Sequence, residues 1–180
     1  MNIETIKQLA RDTTRQYNPQ GLVPFPFDAI VDSRGDLDIF YSTATSDDIS
    51  GAIFLQDDRF TILINSTKPN VRQYFTIAHE LGHYFIHREW LVENSNKGFV
   101  DYSDTLDGQG MLLRPDAPET MTSVDLQKER EANNFAAELL MPESEVRQVW
   151  ELTHDIVECA KTFQVSRVAM AVRLERLALQ

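Results

Sequence analysis

The stretch Thr76-Ile77-Ala78-His79-Glu80-Leu81-Gly82-His83 decides how the rest of the chain is read. Residues four apart on an α-helix lie on one face, one turn along, so His79 and His83 can present two imidazoles to one metal ion from the same side. Glu80 follows His79 directly and projects to the flank of that pair. There its carboxylate can take a proton from a water held at the metal. The flanking Ile77, Ala78, Leu81 and Phe85 are apolar, and residues 71–88 carry apolar side chains at helical spacing. A chance His-Glu-x-x-His match arises in roughly one chain in a few hundred of this size. The plain alternative is a helix with two ordinary histidines and a surface glutamate, and the helical, apolar context weighs against it.

Zinc needs a third protein ligand and an open position for water. One class of such enzymes places a third histidine ten residues after the first, but position 89 is Glu and position 86 is Ile, so that class is disfavoured. His87 lies one turn beyond His83, about 12 Å along the axis from His79, so the three histidines cannot converge on one ion. It reads as a polar residue at the helix end. A better source is the second helical stretch, Gln127-Lys128-Glu129-Arg130-Glu131-Ala132-Asn133-Asn134-Phe135-Ala136-Ala137-Glu138-Leu139-Leu140. Ala132, Ala136, Leu139 and Leu140 form one apolar stripe, and Glu129 and Asn133 fall on it, while Glu131 and Glu138 fall on another. A carboxylate on a buried face needs a partner or a metal. Glu129 is therefore the candidate third ligand, with Glu131 as its rival. Asn133, one turn on, is placed to hydrogen-bond a ligand histidine from outside.

Outward from these motifs, Ile3, Ile6, Leu9 and Ala10 predict an amphipathic helix over residues 3–17, ended by Asn18-Pro19 and Gly21. Pro24 and Pro26 hold an extended link, and a short helix spans Asp28 to Asp32. Leu37 to Tyr41 reads as a strand. Gly51 to Leu55 and Phe60 to Ile64 flank the polar Gln56-Asp57-Asp58-Arg59 in the pattern of a hairpin. Together these predict a small antiparallel sheet packed with several helices, an α+β fold. Residues 93–123, with three glycines, two prolines and scattered acids, read as a long irregular loop near the site, in the role of a lid. Helix returns from Ser123 to Leu140 and stops at Met141-Pro142. Two or three more helices fill 142–180, the last capped by Ser166.

The chain of 180 residues suits a single domain over 1–180. Its 42% hydrophobic and 25% charged content is that of a globular protein. A net charge of -11 repels phosphate backbones and anionic lipid, which argues against direct nucleic-acid or membrane partners. Cys159 stands alone, so no internal disulfide forms, and it reads as a buried thiol. The first residues lack a signal-peptide pattern and no apolar run is long enough for a membrane span, which predicts a reducing, cytoplasmic setting.

These residues resemble the ImmA/IrrE family of metallopeptidases. The matching stretches are Ile77 to His83 with Tyr84, Phe85 and His87, and Glu129 through Leu140 with Met141-Pro142. The hairpin ending Ile62-Leu63-Ile64-Asn65 and the tail from Phe163 to Leu177 are also similar, so the likeness covers about residues 28–178. The resemblance implies a zincin-like catalytic domain and a zinc ligand at the Glu four residues before the Asn, here Glu129. It implies a zinc-dependent endopeptidase acting on a protein, typically a helix-turn-helix repressor of a mobile element or stress response. One zinc ion is implied, with manganese as a substitute the same donors accept. Within that reading Glu80 is the base, and a substrate strand lies along the sheet edge near Phe60 to Ile64. Tyr102 and His154 are candidate oxyanion stabilisers. Two other functions compete: a non-proteolytic partner that sequesters or stabilises a repressor or toxin–antitoxin component, and DNA binding through residues 165–177. The base beside an open position disfavours the first, and the acidic charge disfavours the second.

Overall fold

The computed structural model describes residues 1–95, 97–102 and 122–179. Eight helices and four strands are seen among them. Helix α1 (Ile3–Tyr17) starts at Asn2, whose side chain accepts from the Thr5 N–H, and ends at Asn18. Its inner face carries Ile6, Ala10, Thr13 and Tyr17. A short α2 (Asp28–Ser33) follows. Strands β1 (Leu37–Ser42), β2 (Ile49–Gln56) and β3 (Arg59–Asn65) come next, then α3 (Asn70–Ile86), α4 (Arg88–Glu93) and β4 (Gly98–Tyr102). Helix α5 (Ser123–Leu140) opens with a capping box between Thr122 and Asp125. Helices α6 (Glu143–Thr153), α7 (Ile156–Thr162) and α8 (Arg167–Arg176) complete the chain, and Ser166 caps α8 by accepting from the Ala169 N–H.

The sheet order is β1-β3-β2-β4. The β2–β3 hairpin forms as its sequence predicts, with Gln56 opposite Arg59. Its two turn residues, Asp57 and Asp58, have φ of 50° and 59°, the left-handed pair that matches the twist of the flanking strands. The sheet is mixed rather than wholly antiparallel, because β1 runs parallel to β3 with Leu37 opposite Phe60. The link from β1 to β2 reverses the chain but leaves a gap one strand wide, and β3 fills it. Buried Asn65 secures this crossing by donating from Nδ2 to the Ile49 carbonyl at 2.8 Å.

Residues 93–123 were expected to be irregular. Instead α4 reaches Glu93 and residues 98–102 form β4, paired antiparallel with β2. Asn96 and residues 103–121, where most of the expected loop and its role as a lid fall, lie outside the described residues. Alternation along β4 buries Phe99 and Asp101. Asp101 joins β4 to α3: Arg72 Nη2 donates to both its oxygens at 2.9 and 3.1 Å, and Thr76 Oγ1 donates to Oδ2 at 2.9 Å. Arg72 also bonds Ser50 on β2 and the Tyr102 carbonyl.

Helix α3 lies on the sheet and α5 lies against α3, with α1 packed on α5. Both faces of α5 are therefore covered, and its second row of acids, Glu131 and Glu138, is buried. Glu138, 3% exposed, accepts from Arg173 Nη2 of α8 at 2.7 Å and from Arg11 Nε of α1 at 3.3 Å. The core runs through Ile6, Ile30, Ile53, Phe60, Ile62, Leu81, Tyr84, Phe135 and Phe163. Cys159 is buried and reduced, in line with its sequence reading. Among the described residues no helix is long and apolar enough to cross a membrane.

Asp101 is buried, and removing it takes the carboxylate from the Arg72 guanidinium and leaves that cation with neutral acceptors such as Ser50 and the Tyr102 carbonyl. Asp101→Ala should lower unfolding free energy by about 3–5 kcal/mol, read from urea denaturation. An unchanged midpoint would show that β4 is not held through this pair.

Candidate metal centre

Helix α3 is built to bury polar groups. Every residue from Thr76 to Tyr84 is buried, including His79, Glu80 and His83. Gly82 makes this possible on the α5 side. A Cβ at Gly82 would sit 2.9 Å from the Ala132 Cα and 3.0 Å from its carbonyl oxygen, so only glycine permits the two helices to come so close. That approach carries Glu129, at the start of the facing α5 surface, across to the two histidines.

His79 Nε2 lies 3.2 Å from Glu129 Oε2, His83 Nε2 lies 3.4 Å from Glu129 Oε1, and the two Nε2 atoms are 3.1 Å apart. A tetrahedral ion bound at about 2.0–2.1 Å has ligand atoms roughly 3.3 Å from each other. Each separation is close to that length, the two nitrogen–oxygen distances being to different oxygens of the Glu129 carboxylate. His79, His83 and Glu129 are also a group whose donor atoms all fall close enough to hold one ion. The side chains of His79 and His83 are 3% and 0% exposed, whereas Glu129 is 24% exposed, so the group opens to solvent on the Glu129 side.

The hydrogen bonds outside the group set which nitrogen carries a proton. Asn133 Oδ1 can only accept, so His79 Nδ1, at 2.9 Å, is the donor. In its neutral form the His79 ring then turns a bare Nε2 lone pair inward. Glu131 Oε2 likewise accepts from His87 Nε2 at 3.0 Å, which leaves His87 Nδ1 as an acceptor for His83 Nδ1–H at 3.0 Å. His83 Nε2 is therefore also a lone pair facing inward. Two such lone pairs 3.1 Å apart repel unless a cation or proton lies between them and the carboxylate.

Titration follows the same logic. Burial pushes the His79 imidazole down, but the hydrogen bond and charge of Glu129 outweigh it and hold it up at about 9. Burial prevails at His83 and takes it down to about 4. Burial pushes Glu129 up, but the two imidazoles outweigh it and hold its carboxyl well below the usual range. The group is thus an anion answered by one proton, a place a divalent cation can take. Glu80 is fully buried, and among the described residues neither carboxylate oxygen has a hydrogen-bond partner. Burial pushes its carboxyl well above the usual carboxylate range. A buried acid without a partner is costly to the fold and needs a reason. A metal and its water supply one.

The two histidines, Glu80, Glu129 and Asn133 are brought together. Glu131, the rival ligand, is not in the group: it meets His87, Gln127 and the Met1 amino group. His87 is not in it either: it is the polar residue at the end of α3, as its spacing predicts, and it is buried there. Tyr102 ends β4 on the face opposite Phe99 and Asp101. His154 is exposed after α6, with its ring beside Trp150. Sequence reasoning did not find Phe99, which stacks on His83 at 3.8 Å and 14°. It lies in the stretch taken for loop. The hydrophobic spacing of Phe99 and its neighbours was the available signal, and five residues were too few to stand out.

The family described as Peptidase_M78, IrrE N-terminal-like domain, matches residues 33–109 and 106–175. The chain belongs to that family, and so to a class of metallopeptidase-like proteins with a zincin-like α+β fold. Among solved structures it is similar to a Mycobacterium tuberculosis transcriptional regulator, with 14% identity and a TM-score of 0.60. The alignment covers 96% of this chain but 46% of that one, so the chain spans less than half of the regulator's length. No curated protein matches the chain.

If the three-residue group holds the metal, Glu129→Ala should weaken zinc binding by at least about 100-fold, and Asn133→Ala by the 10–100-fold typical of an outer partner. Competition against a chromophoric chelator measures both. Wild-type affinity in Glu129→Ala would remove Glu129 from the ligand set.

Proposed function

We propose that the protein is a zinc-dependent endopeptidase that cleaves a regulatory protein, a helix-turn-helix repressor or similar, of a mobile element or stress response. The observation that carries the catalytic part is Glu80: a buried carboxylate with no hydrogen-bond partner among the described residues, one residue from His79 and beside His79, His83 and Glu129. The family supports a peptidase, and the resemblance of the two motif helices to ImmA/IrrE proteins supports the repressor-type substrate.

His79, His83 and Glu129 would hold the metal, with Asn133 orienting His79. A zinc ion held there would supply Lewis acidity toward the scissile carbonyl and a more acidic water. Glu80 accepts the proton of the attacking water and passes it to the leaving amine. A cation beside Glu80 favours its ionised form, which offsets the burial that raises it. Manganese fits the same nitrogen and oxygen donors.

The substrate strand expected beside Phe60 to Ile64 has no room there, because β3 is flanked by β1 and β2. Among the described residues the sheet edges are β1 and β4. Phe99 of β4 touches His83, so a substrate segment running beside Gly98, Phe99 and Val100 would reach the metal. A cleft of about 150 Å³, lined by Val71, Phe75, Ala137, Val165, Ala169 and Val172, opens beside Asn133 and suits an apolar side chain of that segment.

Glu80→Gln keeps the shape and removes the base. Turnover of a cleaved substrate should fall by roughly 10²–10⁴-fold while zinc stoichiometry stays at one. Full turnover in the variant would exclude Glu80 as the base. Equal biological rescue by the variant and the wild type would favour sequestration over cleavage.

A further inference from the structure

His87 and Glu131 have no part in the ligand group, yet both are buried and both bear on it. His87 follows the last residue of α3, and its backbone N–H still bonds to the His83 carbonyl at 2.8 Å. Its ring bridges two elements: Nδ1 is 3.0 Å from His83 Nδ1, and Nε2 is 3.0 Å from Glu131 Oε2 on α5. Glu131 is fixed in turn. Gln127 Nε2 donates to its Oε1 at 2.9 Å, and the Met1 amino group meets the same oxygen. Aromatic rings close the outer side. Phe99 stacks on His83 and lies 5.6 Å from His87 between ring centroids, and Trp90 backs Phe99 at 4.6 Å. Lys128 Nζ lies 4.3 Å above the Trp90 ring.

We propose that Glu131 and His87 are positioning residues that act on the metal through His83. The inference rests on the reading of His79, His83 and Glu129 as metal ligands. A carboxylate can only accept from His87 Nε2–H, and a neutral imidazole with a proton on Nε2 can only accept at Nδ1. The orientation of the chain Glu131, His87, His83 is thereby fixed at every link. Its last link holds the proton on His83 Nδ1 and turns Nε2 to the metal. It also fixes the ring plane, which Phe99 stacking alone leaves free to slide. Ligand histidines commonly donate their second nitrogen to a carboxylate or carbonyl, which orients the ring and raises its donor strength. Here the carboxylate acts one imidazole further away, while His79 receives only a neutral amide from Asn133. The two ligand histidines are thus supported unequally, with the anionic support on His83.

The test compares zinc affinity, by chelator competition, with the thermal unfolding midpoint in excess chelator. It uses the wild-type chain, His87→Leu and His87→Asn. Leucine fills the space without an acceptor, whereas the asparagine Oδ1 offers an acceptor at the depth of the lost Nδ1. His87→Leu should bind zinc about 10–100-fold more weakly, and His87→Asn should return to within about threefold of wild type. The metal-free midpoints of the two variants should agree. Wild-type affinity in His87→Leu, or equal weakening in both variants, would overturn the proposal, since neither depends on the acceptor. Should His87→Leu fail to fold, Glu131→Met, which removes the acceptor for His87 Nε2–H, serves in its place: zinc affinity should fall about 10-fold or more, and wild-type affinity there would overturn the relay. A wild-type chain that binds no zinc would instead defeat the metal-site reading itself.

Discussion

At Gly82 the backbone of α3 comes so near α5 that a Cβ would lie 2.9 Å from the Ala132 Cα. The histidines belong to one helix and the carboxylate to the other, so the distance between the two helix axes sets whether three donors meet at one point. A small residue on each side, Gly82 and Ala132, sets that distance. Around the contact, β4 is tied to α3 by Asp101 and Arg72, and α5 is tied to α1 and α8 by Glu138, Arg11 and Arg173. These buried charge pairs add little net stability by themselves, but each is costly to break, which favours one register of the helices.

The electrostatics of the site follow from this geometry. Three donors brought within hydrogen-bonding distance, the two imidazoles buried, leave one negative charge and two inward lone pairs. The proton that His79 keeps to about 9 and the depressed Glu129 carboxyl are the response of the protein side alone. Glu80 answers to a different demand. It has no hydrogen-bond partner among the described residues, a placement that a metal-bound water beside it would explain.

Much of this was legible in the sequence because it is periodic. The four-residue spacing of His79 and His83 fixed their common face, and the stripe through Ala132 and Ala136 placed Glu129 and Asn133 on the side that meets them. The hairpin, the Ser166 cap and the bounds of α1 and α5 were also legible, since turn and cap chemistry is local. What stayed hidden depends on partners distant in the chain. Residues 98–102 look like loop until β2 is beside them, and the parallel pairing of β1 with β3 follows from a crossing that no local pattern records. Glu131 sat on the wrong face for a ligand, and His87 was one turn too far along. Their meeting across α3 and α5 could not be read from either stretch alone. The substrate edge was misplaced for the same reason: β3 is a strand in any reading, but only the sheet order shows that it is interior.

The central claim is that one metal ion sits on two imidazoles and one carboxylate. X-ray absorption at the zinc edge of the zinc-loaded protein tests it directly. The account predicts a four-coordinate shell of nitrogen and oxygen at about 2.0–2.1 Å, with the outer-shell scattering of two imidazole rings and no sulfur. A sulfur shell at about 2.3 Å, which would implicate Cys159, or scattering from fewer than two imidazoles would contradict it.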